Sequence, residues 1–175
     1  MKNVLLLKGG GGTEHDISLM SADFIASQIN SSEFNVISVE IAKDNNWYHL
    51  DKKAELNFDR ELCFGSEKVK IDAAIPCIHG FPGETGDIQS YFKLIKLPYL
   101  GCNAETSTLC FNKLLTKLVL EDAGIKTAPF ININSLNELE NAIAFQEEHG
   151  SVYIKATNQG SSVGCYKASS ASDIK

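Results

Sequence analysis

A short apolar strand that runs directly into a glycine-rich loop constrains the fold of this chain more than any other feature. Val4-Leu5-Leu6-Leu7 is a continuous apolar run, which is typical of a strand buried in a parallel sheet. The segment from Lys8 to His15 holds four glycines. The apolar residues that follow recur at helical spacing: Ile17, Met20, Phe24, Ile25 and Ile29. This order of strand, loop and helix predicts an α/β fold that binds ligands outside the carboxyl ends of its strands.

The same order recurs further along. Phe34 to Ile41 alternates apolar and polar residues and predicts a second strand, and Trp47 to Leu50 suggests a short hairpin strand. Ala73 to Ile78 is a third apolar strand that ends at His79. A helix is then predicted by four apolar residues: Ile88, Tyr91, Phe92 and Ile95. We therefore expect residues 1–101 to form an open, mainly parallel sheet flanked by helices.

The pattern changes near Cys102, where we place a domain boundary. Lys113 to Ala123 predicts a helix, and the capping box from Ser135 to Glu138 opens another that reaches about Glu148. Two strands, 152–155 and 165–167, are then joined by a glycine-serine loop. Such a strand–loop–strand unit differs from the strand–loop–helix units of the first domain. Residues 102–175 are therefore expected to form a separate α+β domain.

Composition excludes several classes of protein. Sixteen basic against 22 acidic residues give a net charge of −6, which disfavours nucleic-acid binding. No apolar run approaches the roughly 20 residues that a membrane span needs, and the first residues do not resemble a signal peptide. The five scattered cysteines suit buried, reduced thiols in the cytoplasm rather than disulfides or a zinc cluster.

The first glycine loop, KGGGGTEHDIS, matches neither the dinucleotide fingerprint nor a Walker loop. It delivers Glu14 and His15 to the mouth of the first strand. Glu14 is therefore a candidate for binding a ligand's ammonium group, and the alternative is an acid that caps the next helix.

The second loop, HGFPGETG, places His79 at a strand end on the same predicted edge as Glu14. A catalytic or binding role and a structural hydrogen-bonding role are both open for this histidine. Glu84 and Asp87 are interpreted as acids at the start of the next helix.

The third loop, KATNQGSSVG, is the strongest local signal for phosphate binding. Gly160 and Gly164 flank Ser161 and Ser162, so that backbone N–H groups can turn inward around phosphate oxygens. Lys155 stands at the base of the loop, and Lys113 lies at the start of an earlier helix. The two lysines suit a nucleotide triphosphate, and the alternative is an ordinary hairpin turn.

In order along the chain, several blocks resemble the D-alanine–D-alanine ligases of the ATP-grasp superfamily. The blocks are GGGGTEHDIS, HGFPGETGDIQSYFKLIKLPYLGCNAETS, FNKLLTKLVLEDAGIKTAPF and VYIKATNQGSSVG. The resemblance implies an N-terminal α/β substrate-binding domain, residues 1–101, followed by a first ATP-grasp subdomain, residues 102–175. It also implies ATP-dependent joining of two D-alanines through an acylphosphate for peptidoglycan, in the cytoplasm and as a homodimer.

The resemblance assigns roles to individual residues. Glu14 would orient the ammonium of the first D-alanine with His79 nearby, and Ser161 would extend a hydrogen-bonded link from Glu14. ATP would be bound by four residues: Lys113, Lys155, Gly160 and Ser162. The chain departs from the family at Gly12, where a serine is usual, at Asp16 and Ile17, where Glu-Val is commoner, at the FNK that replaces MDK, and at Ala156, where a proline is usual.

The family holds Mg²⁺ with carboxylates and an amide near its carboxyl end, whereas this chain has only one acid, Asp173, after Lys155. We therefore expect the chain to correspond to the amino-terminal half or so of such a ligase, with the metal ligands outside it, and to be inactive alone. The alternatives are a D-Ala–D-Ser or D-Ala–D-lactate ligase, and a non-catalytic fragment that dimerises or binds a partner.

Overall fold

The computed structural model describes residues 1–174 and divides the chain into two compact units, Met1–Thr108 and a second unit that begins at Leu109. The assignment of residues 1–101 to substrate binding and of residues 102–175 to a first ATP-grasp subdomain stays a prediction about function.

The first unit is built on one seven-stranded sheet. Its strands are β1 (Lys2–Gly9), β2 (Phe34–Ile41), β3 (Trp47–His49), β4 (Lys52–Leu56), β5 (Glu61–Phe64), β6 (Glu67–Lys70) and β7 (Ala73–Pro76), in the order β6-β5-β4-β3-β2-β1-β7. Its helices are α1 (His15–Gln28) and α2 (Asp87–Leu94). A third helix, α3 (Ala104–Phe111), contains the boundary between the two units, after Thr108.

The apolar strand β1 lies between two parallel neighbours. It pairs with β2 from Lys2↔Phe34 to Gly9↔Ile41 and with β7 from Val4↔Ala73 to Leu7↔Pro76. Leu5, Leu6 and Leu7 are fully buried. Because successive side chains point to opposite faces, Leu6 joins a cluster with Ala22 of α1, whereas Leu5 and Leu7 join the larger cluster around Phe92 of α2. The predicted α/β class is confirmed.

An antiparallel extension continues the sheet beyond β2. The pairs β2–β3, β3–β4, β4–β5 and β5–β6 are all antiparallel. The short strand at Trp47 was predicted, but β4 to β6 were not, because their polar sequences carry little periodicity. Leu56, Leu62 and Phe64 nevertheless bury their side chains in the main core.

Helix α1 forms as predicted, but its apolar residues are not where a buried face was expected. Ile17, Met20 and Phe24 are 54%, 69% and 68% exposed. The helix instead buries His15, Ser18 and Ala22. The small side chains of Ser18 and Ala22 let the helix lie close to the sheet, which turns the larger residues outward.

The second unit contains α4 (Lys113–Asp122), α5 (Leu139–His149) and an antiparallel pair, β8 (Val152–Lys155) and β9 (Cys165–Ala168). These elements were predicted. The box at Ser135 differs from the prediction, because Ser135 makes no side-chain cap and Glu138 instead accepts a hydrogen bond from the Asn134 N–H at 2.8 Å. A capping box is instead present from Ser170 to Asp173, at a 3₁₀ turn over Ala171–Asp173.

Within residues 1–174, no helix has both the length and the apolar character needed to cross a bilayer. The five cysteines are free thiols, and the expectation that all are buried is wrong for Cys102 and Cys110, which are exposed.

Candidate functional site

Two loops meet at the carboxyl ends of β1 and β7. The chain leaves β1 with the Gly10 N–H donating to the Ile41 carbonyl at 2.7 Å, and it leaves β7 with the Cys77 N–H donating to the Leu7 carbonyl at 2.8 Å. Both strands therefore keep their pairing to the last residue before the loop. Glu14 lies after the end of β1, and His79 lies after the end of β7. Because these strands are parallel neighbours, both residues are at the same edge of the sheet, as the sequence predicted.

Ser18 of α1 ties the two strand ends together. Its hydroxyl accepts a hydrogen bond from the Gly9 N–H at 2.7 Å and donates one to the Cys77 carbonyl. The side chain is fully buried, so both backbone groups are satisfied without water. Sequence reasoning missed this residue, since a serine within a helical pattern carries no signal of its own.

The glycines of the first loop allow it to lie directly on the second. A Cβ atom at Gly10 would stand 2.8 Å from Ile78 Cγ2 and 2.9 Å from the Phe81 carbonyl oxygen, and the residue has φ +102°. A Cβ atom at Gly12 would lie 3.9 Å from the His79 carbonyl oxygen, which is an ordinary contact. The first loop therefore packs against the second loop beside His79. The contact is at Gly12, two residues before Glu14.

Glu14 immediately precedes α1, and its side chain makes no capping hydrogen bond to that helix. Glu14 therefore occupies the N-cap position, as in its alternative role, but without the side-chain capping hydrogen bond. The neighbouring His15 is buried rather than presented to the loop mouth. Its Nε2 lies 3.4 Å from a Glu40 carboxylate oxygen, within ion-pair distance but without hydrogen-bond geometry.

His79 is half-buried and contacts α1 through its ring. Its Nε2 lies 3.1 Å from the Ser21 hydroxyl oxygen, and that hydroxyl donates to the Ile17 carbonyl at 2.9 Å. Of the two nearby acids, Asp87 begins α2 as predicted. Glu84 instead closes its own loop, because its carboxylate accepts a hydrogen bond from the Gly80 N–H at 2.9 Å.

In the second unit, Lys113 is joined to the glycine-serine loop through two bonds. Its N–H donates to the Thr157 carbonyl at 3.0 Å, and its ammonium donates to the Gln159 carbonyl. Because the Asn112 side chain caps α4 by accepting from the Leu115 N–H at 2.9 Å, the helix start that carries Lys113 is well defined. Lys155, the last residue of β8, lies two residues before Thr157 and is exposed.

The loop itself contains an uncommon backbone conformation. Ser161 and Ser162 have φ of +47° and +64°, and Gly164 has +63°. A left-handed conformation at two successive non-glycine residues costs free energy, and such residues cluster at ligand-binding sites. The Ala156 N–H donates to the Gly164 carbonyl at 2.8 Å, a bond that the family's usual proline cannot make. Gly160, with its carbonyl 2.9 Å from the Val163 N–H, closes the turn.

A magnesium site requires several oxygen ligands, usually including carboxylates. Among residues 1–174, no three His, Cys, Asp or Glu side chains come together in a way suited to a metal ion. The described residues therefore do not fit a Mg²⁺ site of their own.

A parallel core with loops at its carboxyl edge is typical of α/β proteins that bind ligands at that edge. Residues 3–102 match the family model described as the D-ala D-ala ligase N-terminus. A D-alanine–D-alanine ligase from Tolumonas auensis is 49% identical over 176 residues, which cover 98% of this chain and 53% of that protein. The crystal structure of D-alanyl-alanine synthetase A from Vibrio cholerae has a TM-score of 0.94 at 42% identity and covers 99% of this chain and 53% of that one.

A third relative is the VanG D-Ala:D-Ser ligase from Enterococcus faecalis, with a TM-score of 0.82 at 26% identity, covering 95% of this chain and 55% of that one. The chain belongs to the D-alanine–D-alanine ligase family. It spans about half the length of the curated relatives it matches.

Proposed function

We propose that this chain supplies the first-substrate site and part of the ATP site of an ATP-dependent D-alanine–D-alanine ligase. The observation that carries the proposal is the family match over residues 3–102, which includes both loops at the sheet edge. In this reaction a carboxylate oxygen of the first D-alanine attacks the γ-phosphorus of ATP and ADP leaves. The amine of the second D-alanine then attacks the acylphosphate carbon, loses a proton and displaces phosphate.

The charges of the first-unit residues support their assigned roles. Glu14 follows the β1 loop, where a carboxylate balances the ammonium of the first D-alanine through a charge-assisted hydrogen bond. His79, beside the same loop, offers a further polar group to that substrate. Fixing the ammonium holds the substrate carboxylate at one orientation, which lowers the entropy cost of its attack on ATP.

The second-unit residues are assigned to ATP. Lys113 and Lys155 flank the glycine-serine loop and neutralise phosphate oxygens, while the Gly160 and Ser162 backbone covers them. Ser161 is assigned the hydrogen-bonded link from Glu14 toward the rest of the active site. Mg²⁺ would supply positive charge that offsets the negative charge developing during phosphoryl transfer. No residue described here is assigned to it.

We further propose that the protein is cytoplasmic, forms homodimers, and binds neither nucleic acid nor membrane. A second candidate activity is D-Ala–D-Ser ligation, which the likeness to the Enterococcus faecalis enzyme favours at lower identity. D-lactate as the second substrate, and a non-catalytic binding or dimerising role, are further alternatives.

A chimera tests the activity directly. Residues 1–175 replace the matching part of the Tolumonas auensis ligase, and formation of D-alanyl-D-alanine is measured with ATP, Mg²⁺ and D-alanine. D-serine and D-lactate are offered in parallel as second substrates. Turnover comparable with that of the parent enzyme is expected. A folded chimera that binds neither ATP nor D-alanine would contradict the proposal.

A further inference from the structure

Ser21, on the second turn of α1, stands between the helix and the ring of His79. Its hydroxyl oxygen is 2.9 Å from the Ile17 carbonyl oxygen and 3.1 Å from His79 Nε2. Hydroxyls of helical serines commonly bond to the carbonyl four residues earlier, and this one does so while also contacting the histidine.

The single hydroxyl proton decides the direction of both bonds. A carbonyl oxygen only accepts hydrogen bonds, so the proton between Ser21 and Ile17 must come from Ser21. No proton is then left for the contact with His79, and the hydroxyl can only accept there. The proton in that contact must therefore lie on Nε2 of the imidazole.

We propose that Ser21 is a positioning residue that holds neutral His79 in the Nε2–H form and leaves its Nδ1 as a hydrogen-bond acceptor. Among residues 1–174, the hydrogen bond described for this ring is at Nε2, and Nδ1 is not one of the buried side-chain nitrogens that lack a partner. Because Nε2 is directed at α1, Nδ1 points in a different direction and remains available to a ligand.

The ligand group that suits this arrangement is a donor. Ionised Glu14 and the Nδ1 of His79 both accept hydrogen bonds, whereas an ammonium has three donors and no acceptor. This part of the inference rests on the proposed function and adds a second acceptor for the amine of the first substrate. A carboxylate, which only accepts hydrogen bonds, would instead need a donor from His79.

The tautomer is measured on the 175-residue chain by long-range ¹H–¹⁵N correlation of its imidazoles in mildly alkaline buffer, where an ordinary histidine is neutral. His49 provides an internal reference, since its Nδ1 lies 2.8 Å from the Ser38 carbonyl oxygen and must carry the proton there. We expect His79 to give the opposite pattern, with a slowly exchanging Nε2 proton.

Three variants test the role of the hydroxyl. Ser21→Ala should abolish the slow Nε2 proton exchange of His79, and Ser21→Thr should retain it. The matched control is Ser27→Ala on the same helix, because the Ser27 hydroxyl donates to the Phe24 carbonyl at 2.7 Å and contacts no histidine. Alanine favours helix, so both alanine variants should fold, as circular dichroism can verify.

An Nδ1–H pattern for His79, or unchanged exchange in Ser21→Ala, would overturn the inference. In the chimera, Ser21→Ala should also raise the KM for the first D-alanine about five-fold with little change in kcat, as expected for one weakened neutral hydrogen bond. The NMR comparison needs no ligase activity, so it decides the tautomer even where the chimera contradicts the proposed function.

Discussion

Two glycines of the first loop, only two residues apart, are under different constraints. Gly10 has a positive φ and no room for a Cβ atom, whereas Gly12 has only an ordinary contact at 3.9 Å and no such φ. The family's serine at this second position is therefore compatible with the backbone of this chain.

We expect Gly12→Ala to stabilise the first unit by about 0.5 kcal/mol, because it restricts the unfolded chain without straining the folded one. Gly10→Ala, the matched variant, should destabilise it by about 2 kcal/mol through backbone strain and steric overlap. Urea unfolding of the three proteins measures both effects. A larger loss at Gly12 than at Gly10 would contradict the loop geometry.

The charged candidates predict separable kinetic effects in the chimera. Lys155→Ala should raise the KM for ATP about ten-fold, because it removes a cation from the phosphate site. Glu14→Gln should mainly raise the KM for D-alanine, since it removes the ammonium's counter-charge. Steady-state rates with each substrate varied distinguish the two. Equal effects of both variants on ATP alone would refute these roles.

At the residue scale, sequence reasoning proposed polar and charged side chains that suit a ligand. The candidates Glu14, His79, Lys113 and Lys155 lie at or after strand ends or begin a helix, which local patterns can locate. It did not find Ser18 and Ser21, because their importance comes from partners 59 and 58 residues away in the chain. A helical pattern gives no information about such contacts.

At the scale of elements, the start of β1 is joined to the turn before β7 by a carboxylate. The Asn3 N–H donates to Asp72 at 2.8 Å, and the Lys2 ammonium lies 3.7 Å from the same side chain. The backbone hydrogen bond from Asn3, helped by Lys2, lowers the pKa of Asp72 below its ordinary value of 3.8. Asp72 therefore stabilises the paired ends of these strands in its ionised form.

This stabilisation should depend on pH in a defined direction. Because the pKa is lower in the folded state, the contribution is complete above 3.8 and is lost as the pH falls through the folded-state value. Asp72→Asn keeps an acceptor for Asn3 but removes the charge. We expect its unfolding free energy to lie below that of the parent at neutral pH and to converge with it in strong acid. A gap that persists in strong acid would exclude this explanation.

Element types were predictable where periodicity was strong, as in β1, β2, α1 and α4. The antiparallel strands β4 to β6 and helix α3 were not predicted. Their sequences are polar or short, and tertiary pairing stabilises them more than local propensity does. The orientation of α1 was also unpredictable, since Ser18 and Ala22 pack against the sheet in place of the larger apolar residues.

At the scale of the whole molecule, we expect the 175-residue chain to show no D-alanyl-D-alanine synthesis by itself. Phosphoryl transfer depends on metal ions that offset phosphate charge, and the described residues offer no cluster to hold them. Phosphate release from ATP with Mg²⁺ and D-alanine, measured beside the chimera, tests this. Turnover within about ten-fold of the chimera would show that these residues suffice for transition-state stabilisation.

The pairing of β1 with two strands also determines how long its apolar side chains stay exposed to solvent during synthesis. Val4 pairs with Val36 on one side and with Ala73 on the other. At about 5–20 residues per second, the ribosome needs several seconds to add the second partner after the first strand has emerged. During that interval the apolar side chains from Val4 to Leu7 lack one edge of their final sheet. We therefore expect the nascent first unit to be prone to aggregation until Pro76 has left the exit tunnel.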